Sequence, residues 1–272
     1  LAGGDKISIG PPYFNAVFVP LMLPLMGLMI LSNRSRWWAT DRSLLTASQG
    51  IFAVIAVVAS VGVAWAAGEI KVWIVVISSL SFMILLNLCH EFYRRVGQKS
   101  NPITRLFRQP VALYAMFLGH LGIAVSALGI VTTVMLSEEA DLRMAAGDIA
   151  EVGAYTVRFY GTTNVDGPNY VADRGRVDVL RAGQAVATLL PEKRRYLASQ
   201  SVMTEADIHV RMLGDIYVAL GEPLESGAWA VRVHIKPLVR FIWIGGVLIA
   251  LGGVISIFDR RYRLNVSRRV RQ

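Results

Sequence analysis

The 272 residues are 54% hydrophobic and only 17% charged, yet they carry a formal net charge of +9. The positive excess gathers in short stretches beside apolar segments, the pattern of cytoplasmic loops in a membrane protein, so it sets topology and excludes nucleic acid as the implied partner. The single cysteine, Cys89, excludes an internal disulfide framework and any CxxC redox or zinc site, and reads as a small apolar filler at a helix end.

Residues 1–12 form a Gly/Pro-rich lead-in that should not continue a helix and should lie at a surface. No basic region followed by an apolar core appears there, so no secretory signal is read, and a start without methionine leaves room for an upstream part. A first span is expected from about Tyr13 to Leu31. Pro20 and Pro24 fall inside it, where neighbouring helices can satisfy the freed carbonyls. Asn33 to Arg42 is a short basic loop with Trp37 and Trp38 at the lipid interface. The second span, about Ala47 to Ala67, and the third, about Val72 to Cys89, are joined by a tight turn and form a helical hairpin. His90 to Gln109 is polar and basic, with Arg94, Arg95, Lys99, Arg105 and Arg108, and should be cytoplasmic. His90, beside Glu91 at the helix exit, reads as solvated or capping.

The fourth span, Val111 to Leu136, carries an ionisable side chain, His120, deep inside an apolar run long enough to cross a hydrocarbon core of about 30 Å. An imidazole at that depth is costly unless it is hydrogen-bonded to another helix or holds a ligand. Both options stand on the sequence. Ala124 and Ala127 share its helical face and leave a shallow trough, which could take a flat ligand. Gly119, Gly122, Ser126 and Gly129 form a small-residue stripe on nearly the opposite face, suited to close helix packing.

From Ser137 to Lys236 the pattern changes period. Tyr155–Tyr160, Arg176–Leu180, Asp215–Leu220 and Ala230–Ile235 alternate or carry β-branched and aromatic residues, with Gly, Asn and Asp between them. A small β-rich domain, a sandwich or barrel, is expected over residues 137–238. His209 and His234 look like ordinary outward strand residues. The last span, about Val239 to Phe258, repeats small pairs at Gly245-Gly246 and Gly252-Gly253, again favouring tight packing. An arginine-rich tail, residues 259–272, follows and should be cytoplasmic.

The expected fold class is therefore an α-helical integral membrane protein with five transmembrane helices and an inserted β-rich domain. A four-helix region occupies 13–136 and a fifth helix 239–258. The N-terminus of the chain and the β domain lie outside, the C-terminus inside.

Five ordered segments carry a resemblance: Lys6-Ile7-Ser8-Ile9-Gly10-Pro11-Pro12-Tyr13-Phe14-Asn15; Gly119-His120-Leu121-Gly122; Pro191-Glu192-Lys193-Arg194-Arg195-Tyr196 with Met203-Thr204-Glu205-Ala206; Tyr217-Val218-Ala219-Leu220-Gly221; and His234-Ile235-Lys236-Pro237. Together they resemble the C-terminal part of the large haem lyase subunit, the F component, of bacterial system I cytochrome c maturation, along essentially the whole chain.

The resemblance implies a multi-pass protein of the bacterial inner membrane with a periplasmic β domain. It also implies haem attachment, through thioether bonds, to the CxxCH cysteines of apocytochrome c, with a periplasmic haem chaperone and other maturation subunits as partners besides membrane lipid. On the same ground His120 is one axial ligand of a structural haem b, thought to keep the iron of the transferred haem reduced. The second ligand and the family's tryptophan-rich haem-binding segment lie outside this chain. Trp37-Trp38 lacks that segment's glycine pattern and falls on the wrong side.

The chain is thus expected to be a fragment or half of a split subunit, inactive alone. Lys193, Arg194 and Arg195 form either an outward basic patch for partners or haem propionates, or a solvated turn after Pro191. The rival function is a non-catalytic membrane scaffold or permease subunit in which His120 stitches helices together; no nucleotide-binding motif, metal triad or nucleophile constellation appears.

Overall fold

The computed structural model describes residues 11–32, 47–68, 70–97, 104 and 107–258. The lead-in up to Gly10, the basic loop with Trp37 and Trp38, the loop residues Lys99 and Arg105 and the arginine tail lie outside the described residues. The chain forms helices α1 (Pro11–Ser32), α2 (Ala47–Ala66), α3 (Val72–Phe92, followed by a π-helical turn Tyr93–Gly97), α4 (Val111–Leu136) and α5 (Val239–Ile257). Helices α2 to α5 are long and apolar enough to cross a membrane, and α1 contributes a shorter apolar stretch, Ala16–Leu31. Helix α1 begins at Pro11, earlier than the composition of the lead-in predicts. Proline is well placed at a helix start, where its missing N–H has no intrahelical partner to lose. Helix α3 also outruns its expected end at Cys89, and Cys89 is exposed rather than filling a core.

The chain divides into two compact units, one running to Val131 and resuming at Phe241, the other Thr132–Arg240. In the helical unit, Met26, Met29 and Ile30 of α1 pack with Ile84 and Leu88 of α3 around Ala124 of α4. The α2–α3 hairpin is fixed by a buried amide pair: Gln49 Nε2 donates to Asn87 Oδ1 at 2.6 Å, and Asn87 Nδ2 donates to the Met83 carbonyl at 2.8 Å.

Helices α4 and α5 meet through glycine. A Cβ on Gly122 would stand 2.6 Å from the Gly245 carbonyl oxygen, and one on Gly252 would stand 2.8 Å from that of Ala115. The backbones touch, as they do where small residues line a helix interface. Ser126 Oγ donates to the Ile242 carbonyl at 3.1 Å across the same contact. Gly246 and Gly253 meet nothing within 4 Å, so only one member of each glycine pair builds the interface.

The second unit contains two antiparallel sheets. One has the order β1 (Glu138–Met144), β10 (Trp229–Pro237), β9 (Gly214–Pro223), β8 (Asp207–His209). The other runs β2 (Ile149–Val152), β3 (Tyr155–Asp166), β4 (Tyr170–Arg181), β6 (Glu192–Tyr196), β7 (Val202–Glu205), with β5 (Gln184–Leu189) also paired to β4. Alternate residues of facing strands meet between them: Val157 and Phe159, Val177 and Val179, Ile216, Val218 and Leu220, Val231 and Val233 are almost fully buried in one core. The domain is a sandwich. All four expected strands lie inside longer ones, and the Pro191–Tyr196 segment, one of whose two readings is a solvated turn, contains strand β6.

The α4–α5 contact yields a paired test. Gly245→Leu forces the helices apart and should cost at least about 1–3 kcal/mol, as overpacking does; Gly246→Leu should be near neutral. Thermal unfolding in detergent checks both, and equal midpoints for the two variants would contradict the interface.

Candidate functional site

Helix α4 positions His120 by its own backbone. The imidazole lies over the preceding turn, with Nδ1 2.9 Å from the carbonyl oxygen of Met116, four residues back. That carbonyl can only accept, so Nδ1 carries the proton and Nε2 the lone pair. Nε2 is buried and has no hydrogen-bond partner among the described residues. A ring with one nitrogen held by a carbonyl and the other free is arranged as metal-ligating histidines are.

The surroundings are apolar, and they differ from the expected trough. Ala124 is fully buried against α1 and α3, so that part of the face seats a helix contact. Open space begins beyond it, in a cavity of about 480 Å³ whose lining includes Met22, Met26, Ile77, Ala127, Ile130 and Ile249. His120 is not part of that lining. One imidazole in an apolar wall would suit a haem iron as a single ligand, with any further ligand supplied from elsewhere. No cluster of three or more His, Cys, Asp or Glu that could hold a metal ion occurs among the described residues.

The other histidines occupy different settings. His90, near the end of α3, packs edge-on to Phe52 at 5.5 Å between ring centroids. His209 is half-buried in β8. His234 on β10 has Nδ1 2.9 Å from Glu139 Oε1 on β1.

The three basic residues of β6 do not form a free patch. Glu192 at the head of the strand is buried and holds two guanidinium groups, Arg174 at 2.6 Å from β4 and Arg194 at 2.7 Å. Arg194 also lies over the Tyr170 ring, 4.5 Å from its centroid, and Lys193 pairs with Glu222 at 2.6 Å. Arg195 alone of the three is exposed. Burial acts to raise the Glu192 carboxyl, but the hydrogen bonds from Arg194 and Arg174 outweigh it and hold the group below the usual glutamate range.

A second buried acid, Asp215, has no signature in the sequence. Asp215 on β9 accepts the backbone N–H of Arg211 at 3.0 Å and pairs with Arg240 Nε, at the start of α5, at 3.2 Å. Burial, and then the Asp215 charge, raise the phenol of neighbouring Tyr217. An Asp among β-branched strand residues gives no sign in sequence of a partner 25 positions on.

Residues 135–237 match a family model described as the CcmF C-terminal beta-sandwich. Over 275 aligned residues the chain is 44% identical to the cytochrome c-type biogenesis protein CcmF of Pseudomonas aeruginosa, covering 99% of this chain and 41% of that protein. It is 37% identical to CcmF of Escherichia coli over 97% of its own length and 40% of the relative's. The chain therefore spans about two fifths of the length of these relatives. A solved structure of the cytochrome c haem lyase CcmF shares the fold, with a TM-score of 0.73 over 92% of this chain and 41% of that one at 15% identity.

The Glu192 cluster predicts a pH dependence. Because the folded carboxyl is depressed, its contribution is present above the unfolded glutamate value of about 4.3 and is lost as pH falls through the folded value. Glu192→Gln should therefore destabilise the sandwich in the full chain at neutral pH by about 1–3 kcal/mol for lost charge-assisted bonds, seen as a lower urea midpoint. The gap to the unsubstituted protein should close in acid, as followed by the infrared β band; a gap constant across pH would disprove the assignment.

Proposed function

We propose a role for this chain on the premise that it belongs to the CcmF family of cytochrome c-type biogenesis proteins and corresponds to its C-terminal part. It serves in cytochrome c maturation, as part of a membrane haem lyase that joins haem to the CxxCH cysteines of apocytochrome c. Five helices, α1 to α5, cross the bacterial inner membrane. The N-terminus of the chain and the sandwich lie in the periplasm, where the haem chaperone, apocytochrome and other maturation subunits meet it, and the arginine tail is cytoplasmic.

One observation carries the cofactor reading: the buried, unpartnered Nε2 of His120. His120 is one axial ligand of a structural haem b, and the second comes from the part of the family's proteins that this chain does not span. Haem bound there would supply redox chemistry whose potential His120 and the apolar surroundings would help set. The chain's own contribution is positional. Met116 holds Nδ1–H and so aims the Nε2 lone pair, while apolar side chains of α1 and α3 packed on Ala124 keep water from that face of α4. The same geometry disfavours helix stitching by His120, since Nδ1 bonds within α4 and Nε2 reaches no other described helix.

In the complete protein, His120→Ala should insert normally but lose the b-type spectrum, and His120→Gly with added imidazole should partly regain it. Alanine at His90, His209 or His234 should leave it intact. A full haem complement with an unchanged spectrum in His120→Ala would sink the ligand assignment. Orientation is checked by a reporter active only in the periplasm: active when fused after Arg181, silent after Gln272, with the reverse pattern overturning the topology.

A further inference from the structure

The connection between β8 and β9 carries an unusual surface. Val210, Met212 and Leu213 are 54%, 63% and 73% exposed, and Leu213 and Met212 are the two most exposed large apolar side chains among the described residues of this unit. Three exposed apolar groups within four residues are a continuous tip rather than scattered surface.

The sheet register places this tip. Gly214 pairs with Pro237 and Asp215 with Lys236, so the β8–β9 connection lies at the end of the sheet from which the chain leaves for α5. Leu238 N–H donates to the Leu213 carbonyl at 3.1 Å, and α5 begins at the next residue. Leu238 has a φ of 53°, a left-handed conformation that an L residue adopts at a cost. The tip is thus hydrogen-bonded to the residue before a helix apolar enough to cross a membrane.

Charge frames it, and an aromatic side chain follows along the chain. Asp215 accepts the backbone N–H of Arg211, inside the tip, and pairs with the guanidinium of Arg240, in the first turn of α5. Arg211 also donates to the Tyr155 hydroxyl, over whose ring Arg181 lies with its guanidinium carbon 5.6 Å from the centroid. Trp243, one turn into α5, is 75% exposed. Apolar groups flanked by arginines and an exposed tryptophan at a helix entry are the composition of a lipid headgroup boundary.

We propose that the Val210–Leu213 tip is a membrane-surface anchor, with Val210, Met212 and Leu213 inserted among the outer ends of the acyl chains and Arg211 and Arg240 at the level of the lipid phosphates. It rests on α5 crossing the bilayer, and it gives the sandwich a second hold on the membrane beside its chain connections. Arg211 has two tasks there: it meets phosphate on one side and fixes the tip to Tyr155 on the other.

The test uses the full chain in vesicles of phosphatidylethanolamine with phosphatidylglycerol as the minor lipid, doped with phosphatidylcholine carrying a nitroxide high on its acyl chain. Met212→Cys and Leu213→Cys, each in a Cys89→Ser background, are labelled with an environment-sensitive fluorophore. Both labels should emit to the blue, lose most of their intensity to the lipid nitroxide and resist aqueous iodide. Leu197→Cys, beside Asn169 at the opposite end of β4, should behave in the reverse way. Val247→Cys, exposed on α5, should be quenched by a nitroxide set deeper in the chain. Iodide quenching of the tip labels without lipid quenching overturns the anchor, as does shielding from both, which would mean that a protein surface covers the tip. If the Val247 label also escapes lipid quenching, the crossing of α5 fails and the anchor with it, a result separable from failure of the tip alone.

Discussion

A helix in hydrocarbon has no water to complete its hydrogen bonds, and this constraint organises the helical unit. Ser60, Ser78 and Ser81 return their hydroxyls to carbonyls four residues back. Gln49 and Asn87 satisfy each other across the hairpin, and Ser126 reaches the Ile242 carbonyl on α5. Against that economy the unpartnered buried atoms stand out: in the helices, among the described residues, they are Ser79 Oγ and His120 Nε2. A serine hydroxyl can rotate toward a nearby carbonyl, whereas an imidazole fixed through its other nitrogen cannot. The histidine is the group with an open valence.

The sandwich answers a different solvent. Its stability comes from apolar burial between two sheets, with Phe159, Val177, Val218 and Val233 fully enclosed. Two buried acids gather part of its charge. Glu192 collects Arg174 and Arg194 from adjacent strands, and Asp215 collects Arg240 and the backbone of Arg211. Removing the Glu192 carboxylate would strip Arg174 of that ion pair and leave Arg194 with Glu205 and the Tyr170 ring, so Glu192 ties β4 to β6, while Asp215 ties β9 to the first turn of α5. Of the β6 cations that look like a surface for partners, Arg194 is committed to Glu192 and Lys193 to Glu222, and Arg195 is exposed.

Much of this was legible in the sequence because apolar length and period-two alternation are local signals. Helices α2, α4 and α5 and the cores of β3, β4, β9 and β10 follow from them directly. The position of His120 was legible too, since it is the one histidine within a long apolar run. Strands β6, β7 and β8 were not, because they are short, polar or mostly exposed and show no alternation. Helix α3 outran its expected end since His90 and Glu91 look like a loop, although a helix accepts polar residues where it leaves the membrane. The state of His120 Nε2 lay beyond sequence for a plainer reason. It depends on which carbonyl takes the Nδ1 proton and on what fills the space beside the ring. Likewise the filling of the trough by Met26, Ile30 and Ile84 joins segments more than 90 residues from Ala124 with segments 40 residues away, and no periodicity within α4 encodes it.

The glycine contact between α4 and α5 bears on how such a chain is made. Gly122 and Gly245 press their backbones together, yet the whole sandwich is translated between them. At a synthesis rate of about 5–20 residues per second, α4 waits roughly 5–20 s for its partner. During that interval its small-residue face must be covered by lipid, by the translocation machinery or by an insertion factor. Thr133 Oγ1 donates to the Pro237 carbonyl at 2.9 Å, so the domain's entry and exit strands are held side by side once it has folded. A sandwich that closes on its own ends delivers α5 to the place where α4 is waiting, and the order of biogenesis is written into which end of the domain is tied shut.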